Sequence, residues 1–253
     1  MKASDTAQNA PVIVGAGRVG RSLAAAIPRA GGEVELRDRE DGLAGLAGRI
    51  VLLCVPDGEI GAVATSIGVA GESPALVGHT SGATGLEALE AAGAGGAFSV
   101  HPLQTVPDGE TDLSGCPAAI AGTDDHALEV AGGIARMAGM RSFEVSEEDR
   151  AIYHAAASIA SNFLVTIEQT AAELLGGISV ESPRSVIEPL VRRSLDNWLE
   201  RGEAALTGPI ARGDEATVDA HRRALAERSP ELIGFYDALA DRTRAIARGG
   251  SIR

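Results

Sequence analysis

An α/β fold, a doubly wound and mostly parallel sheet followed by an all-α region, is predicted by three features of the chain. Short apolar runs alternate with helix-compatible stretches up to about residue 146. The first run leads directly into a Gly15-x-Gly17-x-x-Gly20 turn. From Ser146 onward the apolar spacing lengthens to the helical period.

The strand-like runs are Val12–Val14, Val34–Leu36, Ile50–Val55, Ala75–Gly78, Ala97–Val100, Ala118–Ala121 and Phe143–Val145. They are apolar on successive residues rather than alternating, as expected of strands covered on both faces by helices. The later runs leave room for an antiparallel edge. Arg21–Ala30 reads as the first helix. Beyond Ser146 the helical stretches are Glu147–Leu175, Ser182–Arg201, Ala216–Glu227 and Glu231–Ala247. They are separated by Gly176-Gly177, Gly208-Pro209, Gly213 and Ser229-Pro230. This predicts a dinucleotide-binding domain over 1–146 and a helical domain for substrate and dimerisation over 147–253.

Composition narrows the function. A chain of 253 residues can bury a substantial core, and with 3% aromatics that core must be built from Ala, Val, Leu and Ile. A formal net charge of −13 argues against nucleic acid or an anionic membrane as partner. No apolar run reaches bilayer length, and Met1–Ala10 is polar with no apolar signal core, so a cytoplasmic location is expected. Two cysteines, Cys54 and Cys116, form neither a disulfide framework nor a metal cluster. No metal site is expected, and Cys54, inside an apolar run, reads as a small core residue. Lys2, in the N-terminal tail, is the one lysine, which excludes Schiff-base and lysine-acid chemistry from the body of the chain. No Lys or Arg occurs between Arg49 and Arg136. An anionic substrate must therefore find its counter-charge in the C-terminal part or in a second subunit.

The glycine turn has the form that cradles a pyrophosphate. Gly15 permits the bend out of the strand, Gly17 lets backbone approach the phosphates, and Gly20 lets the helix pack against the sheet. Arg18 and Val19 open the helix whose N-terminus faces the anion. The spacing alone is weak in a chain with 32 glycines. Strand before, helix after and Asp38 about 20 residues on make it specific. Asp38 stands where an acid binds a ribose 2′-hydroxyl, whereas Arg39 beside it suits a 2′-phosphate and Arg37 adds positive charge. One acid against two arginines tips the expectation slightly toward NADP over NAD. Val55 and Pro56, after the third strand, form a turn along the cofactor, and Asp57 is placed to cap the next helix.

Leu52-Leu53-Cys54-Val55-Pro56-Asp57, His79-Thr80-Ser81-Gly82 and His101-Pro102-Leu103-Gln104 resemble a little-characterised bacterial family of Rossmann-like proteins with a helical C-terminal domain. Tyr153-His154 through Ser158, Ser161-Asn162, and Leu206-Thr207-Gly208-Pro209 through Arg212-Gly213-Asp214 to Thr217 match its second domain. The layout is more distantly similar to β-hydroxyacid dehydrogenases, ketopantoate reductases, pyrroline-carboxylate reductases and prephenate dehydrogenases. The resemblance implies a nicotinamide-dependent oxidoreductase, with the nicotinamide between the two domains and a homodimer formed through the helical one. It implies no particular substrate.

The remaining site residues follow from where ligands bind in open α/β sheets, at the carboxyl ends of strands. Ser81 and Gly82 end one strand as candidate substrate contacts, and Gln104 follows the next. His101 resembles the histidine of prephenate dehydrogenases that bonds the reacting hydroxyl. His154, Ser158 and Asn162 recur every fourth residue and drift about 80° around a helix, so they share a face. Histidine can give and take a proton near neutrality. An imidazolium at His154 would supply a proton while Ser158 or Asn162 hydrogen-bonds the developing oxyanion. Arg212 is the candidate clamp for a substrate carboxylate. These residues predict a dehydrogenase or reductase of a small oxo, hydroxy or imino acid, ketopantoate-like in the first instance. The alternative is a dinucleotide-binding sensor or regulator without turnover.

Overall fold

The computed structural model describes residues 10–250; the polar N-terminal stretch and Lys2 lie outside the described residues. The chain divides into two compact units, Met1–Leu164 and Val165–Arg253. This division falls beyond residue 146, where the sequence changes from strand-like to helical spacing, because the first helix after the sheet is counted with the sheet.

The first unit is built on seven strands: β1 (Val12–Val14), β2 (Glu35–Arg37), β3 (Ile50–Leu53), β4 (Leu76–His79), β5 (Ala97–Pro102), β6 (Pro117–Gly122) and β7 (Arg141–Glu144). Their order is β2-β1-β3-β4-β5-β6-β7. All neighbours are parallel except β5 and β6, which run antiparallel with Phe98 opposite Gly122 and His101 opposite Ala119. The chain leaves β1 toward β2 and then returns past it to β3. The carboxyl ends of β1 and β3 therefore flank the topological switch point, where open α/β sheets bind ligands.

Successive strand residues enter opposite cores, as the two-residue period requires. Ile13, Leu52, Phe98, Val100 and Ile120 pack with Leu23 and Ile27 of α1 (Arg18–Arg29) and Ile134 of α3 (Asp125–Met137). Val12, Val14, Val51, Leu53 and Val77 pack with Ile60, Ala64 and Ile67 of α2 (Ile60–Val69), and with Leu86 and Leu89 of the 3-10 segment Leu86–Ala92. Asp124 caps α3, its Oδ1 accepting from the Ala127 N–H at 2.8 Å.

Helix α4 (Arg150–Ser158) follows β7 and runs into a π turn, Ile159–Phe163. A π turn spends about one more residue per turn than an α turn, so it winds less per residue. The turn between Ser158 and Asn162 is therefore not the uniform 100° step on which the sequence expectation of a shared face rests.

The second unit contains α5 (Leu164–Gly177, all but its first residue), α6 (Pro183–Arg201), the single turn α7 (Pro209–Arg212), α8 (Glu215–Arg228) and α9 (Ile233–Ala247). Asp214 caps α8 as its position predicts, accepting from the Thr217 N–H at 3.1 Å and the Thr217 hydroxyl at 2.7 Å. None of the residues of α6 is buried. Among the described residues no helix is long and apolar enough to cross a membrane.

Candidate functional site

A cleft of about 400 Å³ opens at the switch point, lined by Val14 to Gly17, Asp38, Arg39, Gly42, Leu43, Cys54 to Pro56, Glu59, Val63 and Ser66. Its floor is the glycine turn. Gly15 has φ +114°, and a Cβ there would stand 2.5 Å from the Cys54 carbonyl oxygen. A Cβ on Gly20 would stand 2.0 Å from the Gly15 carbonyl oxygen. These two glycines are therefore demanded by the protein's own packing. Gly17 is not: its φ is −75°, and the nearest atom to a Cβ there is the Cys54 oxygen at 3.8 Å. The room above Gly17 belongs to the cleft, at the head of α1, a helix that starts with no side-chain cap and no acid in its first turn. Unpaired first-turn N–H groups and a positive dipole end suit a phosphate. The turn thus fits a dinucleotide pyrophosphate on geometry, not on spacing alone. Arg18 is exposed at the helix start, and Val19 packs against the core.

Asp38 and Arg39 line the far end of the cleft. The Asp38 Oδ1 accepts from the Glu40 N–H at 2.8 Å, so part of its acceptor capacity is used within its own loop. Arg37 does not join them, which corrects the sequence expectation. Its Nε donates to Glu35 Oε1 at 2.6 Å and its Nη1 to the Ala44 carbonyl at 2.7 Å. Its charge is spent on Glu35, two residues back on the same face of β2. Cys54 is buried, and desolvation pushes its thiol up to about 12, partly offset by a hydrogen bond with Thr80, so it stays protonated and inert.

A second group of side chains gathers where β4 and β5 meet α4. The Nδ1 of His101 is 2.6 Å from the Tyr153 hydroxyl. The two rings are edge-on at 5.7 Å and 84°, and the His154 ring lies 6.3 Å from that of His101. Gly82 makes room for this imidazole: a Cβ there would stand 2.8 to 3.0 Å from ring atoms of His101. The absence of a Cβ at Gly82 is thus accounted for within the protein by the His101 ring packed over it. Burial, and then the neighbouring His154, push the His101 pKa down to about 4, so its ring is neutral at physiological pH. Burial likewise pushes the Tyr153 phenol up to about 12.

Ser81 is also not free for substrate. Its Oγ accepts from the Thr84 N–H at 2.9 Å and the Ala83 N–H at 3.2 Å and bonds the Thr84 hydroxyl at 2.9 Å, closing a serine turn. The loop is fastened from below by Arg150, which is buried. Its Nη2 donates to the Ser99 hydroxyl at 2.8 Å, its Nε to Glu147 Oε1 at 3.0 Å, and its Nη1 to the Ser81 carbonyl at 3.4 Å. Glu147 in turn accepts from the Leu86 N–H at 2.9 Å. His79 lies fully buried beside this ion pair. Neither ring nitrogen meets the geometry of a hydrogen bond, although the Gly85 backbone is near enough to oppose the shift, and the His79 pKa is lowered by desolvation and then by the Arg150 charge. It is a neutral residue of the floor.

Asp57 makes no side-chain cap, contrary to expectation; it opens a 3-10 turn, Asp57–Glu59. Its charge instead works on His101 and His79, raising both against the effect of burial. Gln104 is exposed on the loop after β5. Ser158 is half-buried on α4, and Asn162 lies in the π turn. Arg212 ends α7 in the second unit, exposed. Two residues that sequence reasoning passed over are Tyr153 and Arg150. The first stands beside a histidine already singled out; the second follows an acidic run and reads as a solvated cation.

A family model described as a domain of unknown function, DUF2520, matches residues 116–243. No curated protein matches the sequence. Among solved structures, a candidate NADP oxidoreductase from Bacteroides fragilis is 24% identical, with 94% of this chain and 98% of that chain aligned at a TM-score of 0.75. A Thermotoga maritima protein is 25% identical over the same shares of the two chains, also at 0.75. Prephenate dehydrogenase from Aquifex aeolicus is 18% identical, over 92% of this chain and 98% of its own, at 0.57. These neighbours share the Rossmann-like fold with a helical C-terminal region. With the family model spanning half of its length, the chain belongs to the DUF2520 family.

Proposed function

We propose that this protein is a nicotinamide-dinucleotide-dependent oxidoreductase acting on a small oxo, hydroxy or imino acid. The observation that carries the proposal is Gly17: an open position, unexplained by internal packing, at the uncapped head of α1 over the switch-point cleft. The B. fragilis neighbour's description as a candidate NADP oxidoreductase supports the same reading. When bound, the nicotinamide supplies or accepts the hydride. The chain's own part is to hold the pyrophosphate on the glycine turn and to supply a proton from the histidine pair His101 and His154. Ser158 and Asn162 serve as hydrogen-bond donors to the oxygen that gains charge.

The direct test is calorimetry with NADPH and NADH at millimolar levels. No heat with either removes the proposal. Arg39 favours NADP, because among the described residues it has no hydrogen bond or ion pair to spend its charge on, and a 2′-phosphate is its fitting partner. Arg39→Ala is expected to weaken NADPH binding by about tenfold, roughly 1.4 kcal/mol, and to leave NADH binding within about twofold. An equal loss for both dinucleotides assigns Arg39 to general attraction instead.

Neither His101 nor His154 lines the cleft. Alanine at either is expected to leave dinucleotide affinity within a few fold, and at the proton donor to lower turnover by at least about 10²-fold. Unchanged turnover in both variants excludes the pair. Oxo acids, ketopantoate among them, are the first substrates to screen. Arg212, exposed and without an ion pair among the described residues, is the proposed partner for a substrate carboxylate.

The helical unit is proposed to pair with a second copy. On α6, Leu190, Trp198 and Leu199 are 69%, 59% and 68% exposed, more apolar surface than one long helix normally leaves in water. Sedimentation is expected to give a dimer and, for Trp198→Glu with Leu199→Glu, a monomer. A monomeric parent protein overturns the pairing.

A further inference from the structure

We propose that Tyr153, acting through the imidazole of His101, supplies the proton taken up by the reacting oxygen or nitrogen of the substrate, so that His101 passes a proton along without ever becoming a cation. The inference rests on the oxidoreductase reading and decides which group in that site gives the proton.

The geometry carries it. The Tyr153 hydroxyl and His101 Nδ1 are 2.6 Å apart, a short, well-formed contact. A phenol is a stronger acid than a neutral imidazole N–H, so the favoured arrangement has the phenol donating and Nδ1 accepting. The ring proton then sits on Nε2. That nitrogen has no hydrogen-bond partner among the described residues, and it is not among the buried unpaired atoms, so it reaches solvent. The imidazole sits over Gly82, where even a Cβ would stand within 2.8 to 3.0 Å of its ring atoms, and the Tyr153 ring lies edge-on to Phe143 at 6.0 Å.

The surroundings keep the ring neutral. The charged and titratable groups acting on it are His154 and Arg150 from α4, His79 from β4 and Asp57 from the 3-10 turn. Burial, His154, Arg150 and His79 all disfavour an imidazolium; Asp57 opposes them and does not prevail. A general acid of the ordinary imidazolium kind is thus the wrong model for His101, whereas a neutral ring can still move a proton if one arrives at Nδ1 as another leaves Nε2.

The step balances. A hydride adds to the carbonyl or imine carbon, and the C=O or C=N π pair moves onto the heteroatom. The heteroatom takes the Nε2 proton. The ring takes the Tyr153 proton at Nδ1 as Nε2 gives its own up. After the product leaves, Nε2 takes a proton from solvent and Nδ1 returns its proton to the Tyr153 phenolate, which restores the starting tautomer. Net uptake is one hydride from the reduced dinucleotide and one proton from solvent. Oxidation of the alcohol or amine runs the same transfers backwards. Tyr153 does not touch the reacting atoms; it is a positioning and proton-supplying residue behind His101.

The test begins on the full-length protein with ¹⁵N-labelled histidine, without dinucleotide or substrate. His101 is expected to show an unprotonated, hydrogen-bonded Nδ1 and a protonated Nε2, and not to titrate between about pH 5 and 8. A protonated Nδ1, or a ring that titrates in that window, overturns the relay. Tyr153→Phe is expected to abolish the preference for one tautomer, to lower turnover by about 10²-fold, and to change a bowed proton inventory in mixed H₂O and D₂O into a linear one. An unchanged inventory overturns the relay, and the wild-type spectrum decides it even where the variant folds poorly. The two readings fail separately. The expected tautomer in a protein that binds neither dinucleotide sinks the redox function and the relay's purpose with it. A protonated Nδ1 in a protein that binds and turns over sinks the relay alone.

Discussion

Gly17→Ala is expected to fold as stably as the parent, within about 1 kcal/mol, and to lose pyridine-nucleotide affinity by about 100-fold, roughly 2.7 kcal/mol. The two halves of this expectation come from one measurement: a Cβ at position 17 meets nothing closer than 3.8 Å inside the protein. The added methyl would project where a pyrophosphate must touch backbone N–H groups. Gly20→Ala provides the contrast. There the new carbon stands 2.0 Å from a backbone oxygen, so strand and helix must separate, costing about 3 kcal/mol with or without ligand. Urea unfolding and calorimetry on the two variants separate a glycine kept for the fold from one kept for a ligand. Full nucleotide affinity in Gly17→Ala would show that the cleft does not hold a pyrophosphate at this turn.

Much of this architecture could be read from the chain. All seven strands overlap apolar runs, and the antiparallel step falls among the later ones, at β5 and β6. The edge strand β7, however, shares only Phe143 and Glu144 with its run and is exposed at all four residues, not covered on both faces. Runs of Val, Ile and Leu report burial on both faces, and burial is what a parallel sheet imposes. Side-chain commitments are less legible. Arg37, which the sequence places toward the cleft, pairs instead with Glu35, because strand residues two apart share a face. Ser81 lies three residues before Thr84, the spacing of a serine turn, and so could also have been read as structural. Tyr153 and Arg150 could not have been so read. Their partners, His101 and Ser99, are 52 and 51 residues away in sequence, and no local periodicity reports which strand end a helix face will meet.

Glu147→Ala is expected to destabilise the first unit more than Arg150→Met does, and the difference follows from which partner is stranded. The Arg150 side chain is 7% exposed and that of Glu147 41%. Removing the carboxylate leaves a guanidinium out of reach of water with its charge uncompensated, a loss of about 3 to 5 kcal/mol. Removing the guanidinium leaves a carboxylate that can turn to solvent. The remaining cost is the unpaired Ser99 hydroxyl and Ser81 carbonyl, about 1 to 3 kcal/mol. The pH dependence has a definite sign. Burial alone would raise the Glu147 pKa, but the hydrogen bonds from Arg150 and the Leu86 N–H outweigh it and hold the carboxyl below its ordinary 4.5. The unfolded chain therefore binds the proton first on acidification. The pair's contribution is present above about pH 4.5 and is lost as pH falls through the lower folded value. In Arg150→Met that acid-limb slope should flatten. Because Arg150 also fastens the Ser81 loop under Gly82 and His101, the same variant should loosen the imidazole seat and disturb the His101 tautomer. If Arg150→Met proves as stable as the parent and leaves the His101 spectrum intact, the ion pair is dispensable and the seat of the imidazole is fixed by packing against Gly82 and Tyr153 alone.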